Sequence, residues 1–492
     1  MSKILLIEPP FYRLYDPRMS LDKLPLSLGY LASSIKENTN WEVKIYNADF
    51  YAPSISSSTE FLTGSGFSNY IKNLTDNDYK VWNEIKDYVK DYNPEVVGIT
   101  TKSQNYRSAC NTAQIIKEIN PSIKIIIGGP HVSLTSDEDL NRENIDITVK
   151  GEGELTIIEI LNAVESNLPF DNIAGVSFKN NGDVTKNILR GQIQDLDILT
   201  SPYKYAKTIL KDFEKYPLNS FRSIFATRGC PYNCTFCGSG KIWGHKVRFR
   251  SVKNVIDEIN ELRKIGVNYF NFDDDTFGAT SKYIVELCNS LIENCRGIQW
   301  SCELHVKLIT PNHLSLMKKA GCDLIKIGIE SGNNEILKQI RKNITIEEAI
   351  NASKLINKYK IHAMGFFMVG FPQETIETLN DTINAIKKFN GYVTYSIFTP
   401  YIGTDAYDYC VSYGLIPKIF DVSKYNHQSP ENCFCLNITH DKFRAIASEV
   451  EKVVDKKNLT YGRYLMLKRF FPTNILRKIK RSFRIFKNYC KK

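Results

Sequence analysis

The sequence predicts an α/β protein with two parallel sheets in tandem. A doubly wound sheet over residues 1–165 is followed by a connector at 166–220, a partial (β/α)6 barrel over 221–410 and a mostly helical cap over 411–492. Three observations predict this. Short apolar runs alternate with helical spacing in both halves, the pattern of parallel sheets with crossover helices. Polar and glycine-rich segments fall at the carboxyl ends of the predicted strands, where such sheets bind ligands. The first strand of the second unit runs directly into ATRGCPYNCTFCGSG (226–240), a loop with three closely spaced cysteines.

In the first unit, KILLI (3–7) is a continuous apolar strand. Helical spacing over 24–37 leads to a second strand, WEVKIYNAD (41–49), and EVVGIT (95–100) is a third. A helix over 108–120 precedes KIIIGG (124–129), and DITVKGEGE (146–154) closes the set. The expected fold is flavodoxin-like, and residues 50–92 read as an insertion, a loop then a helix. The strand ends carry Pro9, Thr100, Thr101, Gly128, Gly129, Pro130, His131, Gly151, Glu152, Gly153 and Glu154. These residues alone point only to a nucleotide-like cofactor. The connector includes a predicted hairpin at 175–184.

The second unit places strands at 223–227, 269–274, 298–304, 324–330, 363–370 and 393–400, with helices between them. Beyond it, residues 441–458 show apolar helical spacing at Phe443, Ile446, Val450, Val453 and Val454.

Composition bounds the class. The chain has 492 residues, 42% hydrophobic and 24% charged, which is ordinary for a globular protein. The amino terminus reads as a buried strand rather than a signal peptide, and no apolar run is long enough to span a membrane. The 12 cysteines, in a chain read as lacking an export signal, predict a reducing cytoplasm. The net charge of +10 is concentrated at the end: residues 461–492 hold 11 Lys or Arg and no acid, so the rest is near neutral. Leu476, Ile479, Phe483 and Phe486 mark one face of a basic helix there. Such a helix lies on an anionic membrane surface or packs on its own protein, and nucleic acid is not the expected partner.

Cys230, Cys234 and Cys237 have the order C-x3-C-x2-C. A [4Fe–4S] cluster takes four cysteine ligands as a rule, so three local thiolates leave one iron open. Structural zinc needs four ligands, and no matching second pair follows. Phe236, beside the third cysteine, offers an aromatic face to a purine.

These four residues resemble the signature of radical S-adenosylmethionine (SAM) enzymes. The resemblance implies that the open iron chelates SAM and that the cluster cleaves it to a 5′-deoxyadenosyl radical. It also implies SAM contacts at later strand ends: Asp274 and Asp275 for the amino group, Glu303, Glu330 and Ser331 for polar groups, and Gly370 and Pro372 against adenine. His305 stands where relatives often carry an arginine. With this motif behind it, the first unit looks like the cobalamin-binding domain of the cobalamin-dependent branch. Here the sequence departs from many cobalamin proteins, because EPPFYRLYDPRM lacks the D-x-H-x-x-G motif whose histidine binds cobalt. His131 is the alternative ligand, or a loop histidine near the corrin.

The expected activity is methylation of an unactivated carbon of a small-molecule, lipid or peptide substrate, with flavodoxin or ferredoxin as electron donor. The alternatives are a related cyclase, ring-contracting or oxidising enzyme without methyl transfer, and a cofactor-binding sensor without turnover.

Overall fold

The structure, a computed structural model, describes residues 1–55, 65–135, 140, 144–180, 182–417, 420–429 and 431–470. The basic helix expected over 476–487 lies outside the described residues.

Seven strands form the first sheet: β1 (Lys3–Glu8), β2 (Glu42–Asn47), β3 (Val96–Thr100), β4 (Lys124–Gly128), β5 (Ile147–Val149), β6 (Val176–Asn180) and β7 (Asp183–Lys186), in the order β2-β1-β3-β4-β5-β6-β7. The first five are parallel. Between Lys3 and Glu8, β1 is apolar at Ile4, Leu5, Leu6 and Ile7 because helices cover both sheet faces. Its alternating side chains divide accordingly. Ile4 and Leu6 pack with Leu28, Ile35 and Ile160 on one side, and Leu5 and Ile7 with Trp82, Ile85 and Ile116 on the other. β6 and β7 are the hairpin expected at 175–184, and they pair antiparallel onto β5, extending this sheet. The insertion holds two helices, Ser65–Thr75 and Lys80–Tyr92, where the sequence reading gave one. Phe67, Tyr70 and Leu74 of the additional helix are buried at helical spacing.

The second sheet is β8 (Ser223–Ile224), β11 (Tyr269–Phe272), β12 (Gln299–Glu303), β13 (Cys322–Glu330), β14 (His362–Val369) and β15 (Tyr392–Ile397). All six are parallel and sequential neighbours, as a partial (β/α)6 barrel requires. The strand expected at 223–227 is cut short. The chain leaves the sheet, and β9 (Thr227–Arg228) pairs antiparallel with β10 (Arg248–Phe249). This small ribbon encloses the cysteine loop.

A helix at Asp405–Ser412 spans the expected boundary at 410, and the cap contributes the helix His440–Phe470. Phe443, Val450 and Val454 enter the core, with Ile446 and Val453 packed against it. Asn458 closes the edge of β15, accepting from Val393 N at 2.9 Å and donating to Val393 O at 2.8 Å. The intervening cap segment reaches back to the first unit. Arg107 Nη1 meets Asp421 Oδ2 at 2.7 Å, Tyr70 Oη donates to Ser423 O at 3.1 Å, and Asn426 Nδ2 donates to Tyr15 Oη at 3.0 Å. Among the described residues, no helix is long and apolar enough to cross a membrane.

Candidate active site

The carboxyl ends of β3, β4 and β5 open onto a cavity of about 230 Å³. Its deep walls are aliphatic, among them Leu6, Leu28, Leu31, Ile126 and Ile157. Gly98, Gly128, Gly129, Gly151 and Gly153 also line it, so five positions contribute no side chain. Gly129 must be glycine: at φ +109° a Cβ would stand 2.7 Å from Thr101 O. Gly151 has φ +77° and open space where its Cβ would point.

Thr100, Gly128, Gly129, Pro130, Gly151, Glu152, Gly153 and Glu154 therefore share one cavity wall. Pro9, Thr101 and His131 are not part of that wall. Thr101 is buried, and its N–H and hydroxyl both donate to Gly128 O, at 2.7 and 2.8 Å. His131 is also buried, with Nδ1 3.1 Å from Ser103 Oγ and its ring 4.1 Å from that of Tyr106. Burial pushes its pKa down to about 4, which keeps it neutral. The sequence reading missed the aliphatic wall, and also Arg228, Ile242 and Trp243, which the second unit lends to the same cavity. Lys102 lines it too, its ammonium 2.9 Å from Glu8 Oε1.

Cys230, Cys234 and Cys237 line a second, shallow pocket with Tyr232, His245 and Asp405. A helix end and a strand-following turn hold this loop. Thr235 N donates to Ile340 O at 3.1 Å, and Cys230 Sγ lies 3.3 Å from Thr276 Oγ1 beyond β11. Asp274 fixes the loop's entry: its Oδ1 accepts from Ala226 N at 2.8 Å and from Thr227 N and Oγ1 at 2.5 and 2.8 Å. Burial pushes the Asp274 carboxyl up to about 7, against those hydrogen bonds. Burial also raises the Cys234 thiol, to about 11, while the nearby Lys342 ammonium opposes it.

Lys342, which the sequence reading missed, bonds Glu330 Oε1 at 2.7 Å. Glu330 ends β13 beyond an irregular register and has φ +69°, a strained backbone for a non-glycine residue. Glu303 instead faces Lys326, 3.6 Å away. His305 stacks on Tyr232 with ring centroids 3.7 Å apart. Phe236 packs near Phe371, 5.6 Å between centroids, and Pro372 O accepts from Leu436 N at 2.9 Å. Gly370 has φ +97°, and Phe443 fills the space a Cβ would need. Ser331 is wholly buried, its hydroxyl 3.4 Å from Thr382 Oγ1, so it faces the helix Ile376–Lys388 and not a ligand space.

The donor sets suit two different groups. Three free thiols on one loop suit a cluster that binds each cysteine through a different iron. Among the described residues, no three His, Cys, Asp or Glu side chains converge to chelate a single ion. The apolar, glycine-lined slot at parallel strand ends suits a large flat cofactor whose tail enters between sheet and helices.

Comparison with known proteins assigns a family to each of the two units. Residues 20–161 match the B12-binding domain family and residues 224–386 the radical SAM superfamily. A protein of Pyrococcus horikoshii, named as the uncharacterized methyltransferase PH0819, is 32% identical over 85% of this chain and 84% of its own. The anaerobic magnesium-protoporphyrin IX monomethyl ester cyclase of Rubrivivax gelatinosus is 28% identical over 79% of this chain and 68% of its own. The radical SAM methyltransferase TsrM of Kitasatospora setae, solved with cobalamin and a [4Fe–4S] cluster, has a similar fold. Its TM-score is 0.65 at 17% identity, covering 84% of this chain and 79% of TsrM.

The fold and the two sites thus define a radical SAM enzyme with a second, corrinoid-binding domain. The chain belongs to the radical SAM superfamily, in the branch that carries an amino-terminal B12-binding domain. Its cofactors are a [4Fe–4S] cluster, SAM and cobalamin.

Proposed function

We propose that the protein is a cobalamin-dependent radical SAM methyltransferase that methylates an unactivated carbon of a small molecule. The observation that carries this is Arg228. It lines the glycine-rich cavity and lies two residues before Cys230. Two residues of chain span at most ~7 Å, so the two cofactor sites adjoin.

When bound, the cluster and SAM supply hydrogen abstraction, and the corrinoid supplies the methyl group. Cys230, Cys234 and Cys237 would hold three irons, and their binding releases the thiol protons. The buried Lys342 ammonium favours the thiolate form of Cys234 and Cys237. Asp275, Glu303 and Glu330 offer acceptors for the SAM ammonium and ribose, with Phe236, Gly370 and Pro372 against adenine. Asp274 serves the same ligand indirectly, by fixing Thr227 at the loop entry. Thr100, Gly128, Gly129, Pro130, Gly151 and Gly153 would receive the corrinoid. His131, committed to Ser103 and Tyr106, is not its ligand in this reading.

An external one-electron donor such as flavodoxin or ferredoxin would reduce the cluster. The free cysteines among the described residues fit a reducing compartment, the cytoplasm. The similarity to a cyclase supports a second reading, in which the same cofactors oxidise or close a ring without moving a methyl group.

The test is anaerobic. The protein is reconstituted with iron, sulfide and hydroxocobalamin, then given reductant and SAM, and S-adenosylhomocysteine and 5′-deoxyadenosine are followed together. Both products support methyl transfer. 5′-Deoxyadenosine without S-adenosylhomocysteine favours the cyclase reading, and neither product with both cofactors bound leaves turnover gated by the substrate or a cofactor-binding sensor.

A further inference from the structure

A buried cluster of two arginines and two glutamates lies between the two cofactor sites. β9 and β10 form the neck of the cysteine loop, and Arg228 stands opposite Arg248 across that ribbon. Like charges facing each other on an antiparallel pair repel. Both arginines are buried, and both turn to one carboxylate. Arg228 Nη1 lies 2.7 Å from Glu152 Oε1, and Arg248 Nη1 lies 2.8 Å from Glu152 Oε2. Glu154 Oε1 takes the second nitrogen of Arg228 at 2.5 Å.

The connector joins the same knot. Ile193 N donates to Glu152 Oε2, and Ile193 O accepts from Arg248 Nη1, each at 2.6 Å. Phe225 and Trp243 wall in the Arg228 guanidinium at 5.0 and 5.2 Å. Burial would raise the Glu152 carboxyl, but the hydrogen bonds from Arg248 and Arg228 overcome it and hold it below its usual range. Glu152 and Glu154 flank Gly153 in the turn that walls the corrinoid cavity.

We infer that Glu152 and Glu154 are positioning residues that lock the neck of the cysteine loop to the wall of the corrinoid cavity, so that filling either cofactor site favours filling the other. The inference rests on the two-cofactor reading above. A ligand against Gly151 and Gly153 fixes the turn, the turn fixes both arginines, and the arginines keep the neck closed beneath the three thiols. The reverse follows because coupling between two binding sites is reciprocal.

The test titrates hydroxocobalamin into the full chain, with and without the reconstituted cluster. The wild type is expected to bind it roughly fivefold or more tightly with the cluster present. In Glu152→Gln, which keeps the shape but leaves the arginines to repel, that ratio falls to about one while each cofactor alone still binds. Glu154→Gln leaves Glu152 between the arginines and lowers the ratio partway, which keeps the inference testable if Glu152→Gln fails to fold. The EPR spectrum of the reduced, SAM-bound cluster gives a readout that mere loss of stability does not move. It is expected as one species in the wild type and as a mixture in Glu152→Gln. A ratio of one in the wild type, or an undiminished ratio in the variants that fold, overturns the inference. A wild-type chain that takes up neither cofactor overturns the two-cofactor reading and this inference with it.

Discussion

Two ligand sites occupy equivalent places, the carboxyl ends of two parallel sheets, and are built in opposite ways. The glycine-rich cavity is shaped by missing side chains, with five glycines and aliphatic walls, and the four charged residues that line it are paired with one another or with Glu8. The cysteine pocket is shaped by committed charges. Asp274 holds its entry, Lys342 and Glu330 flank it, and Glu152 with two arginines closes its neck. The first site follows from the fold itself and is largely preformed. The second is a loop of 19 residues between β9 and β10, with one short helix at Ser239–Trp243, and neighbours supplied by other segments hold the rest of it.

The sharpest way to separate the two sites is Cys234→Ala. It should abolish 5′-deoxyadenosine formation while hydroxocobalamin binding, measured without the cluster, stays at the wild-type level. Loss of both activities together would mean that the cavity is not independently formed. Arg228→Ala should break the separation instead, because it strips Glu152 and Glu154 of a shared partner. Removing one side of a buried ion pair costs roughly 3–5 kcal/mol. Thermal unfolding should show this loss, with iron content and cobalamin affinity falling together. Gly129→Ala acts on the preformed site alone. A Cβ at φ +109° meets Thr101 O at 2.7 Å, and the left-handed strain alone costs about 1–2 kcal/mol. Cobalamin affinity should fall about tenfold, as that strain allows, with iron content unchanged.

A further effect is in pH. Burial pushes the Glu374 carboxyl up to about 8, against hydrogen bonds from Gly370 N and Phe371 N. A raised carboxyl binds protons more tightly folded than unfolded. Its contribution to stability is therefore full below the ordinary glutamate range and is lost as pH rises towards 8. Glu374→Gln should match the wild type in melting temperature near pH 4.5 and exceed it at pH 8.5. A gap that does not change with pH would contradict the charge explanation.

Much of this was legible in the sequence because it is periodic or chemically distinctive. Apolar runs such as KILLI and KIIIGG marked the strands, and the cysteine spacing marked the loop. The glycines at 128, 129, 151 and 153 marked a ligand edge before any wall was known. What the sequence concealed is pairing across distance. β9 and β10 are two residues each, too short for any alternation to show. Glu152 and Glu154 read as ligand-facing residues, whereas their carboxylates meet arginines from the second unit. Ser331 sits in a suggestive GIESG run, yet its hydroxyl is buried against Thr382, on a helix far along the chain. Lys342 had no motif to announce it and is placed only by the turn after Ile340. The additional helix of the insertion was visible in principle, in the spacing of Phe67, Tyr70 and Leu74.

In the proposed arrangement one chain holds a corrinoid and an iron–sulfur cluster side by side, joined through Arg228. The most direct measurement is EPR of the reduced protein with both centres loaded and paramagnetic. Magnetic interaction between the two centres within one molecule, unchanged on dilution, is the expected result. Two full, independent spectra with no interaction would contradict it.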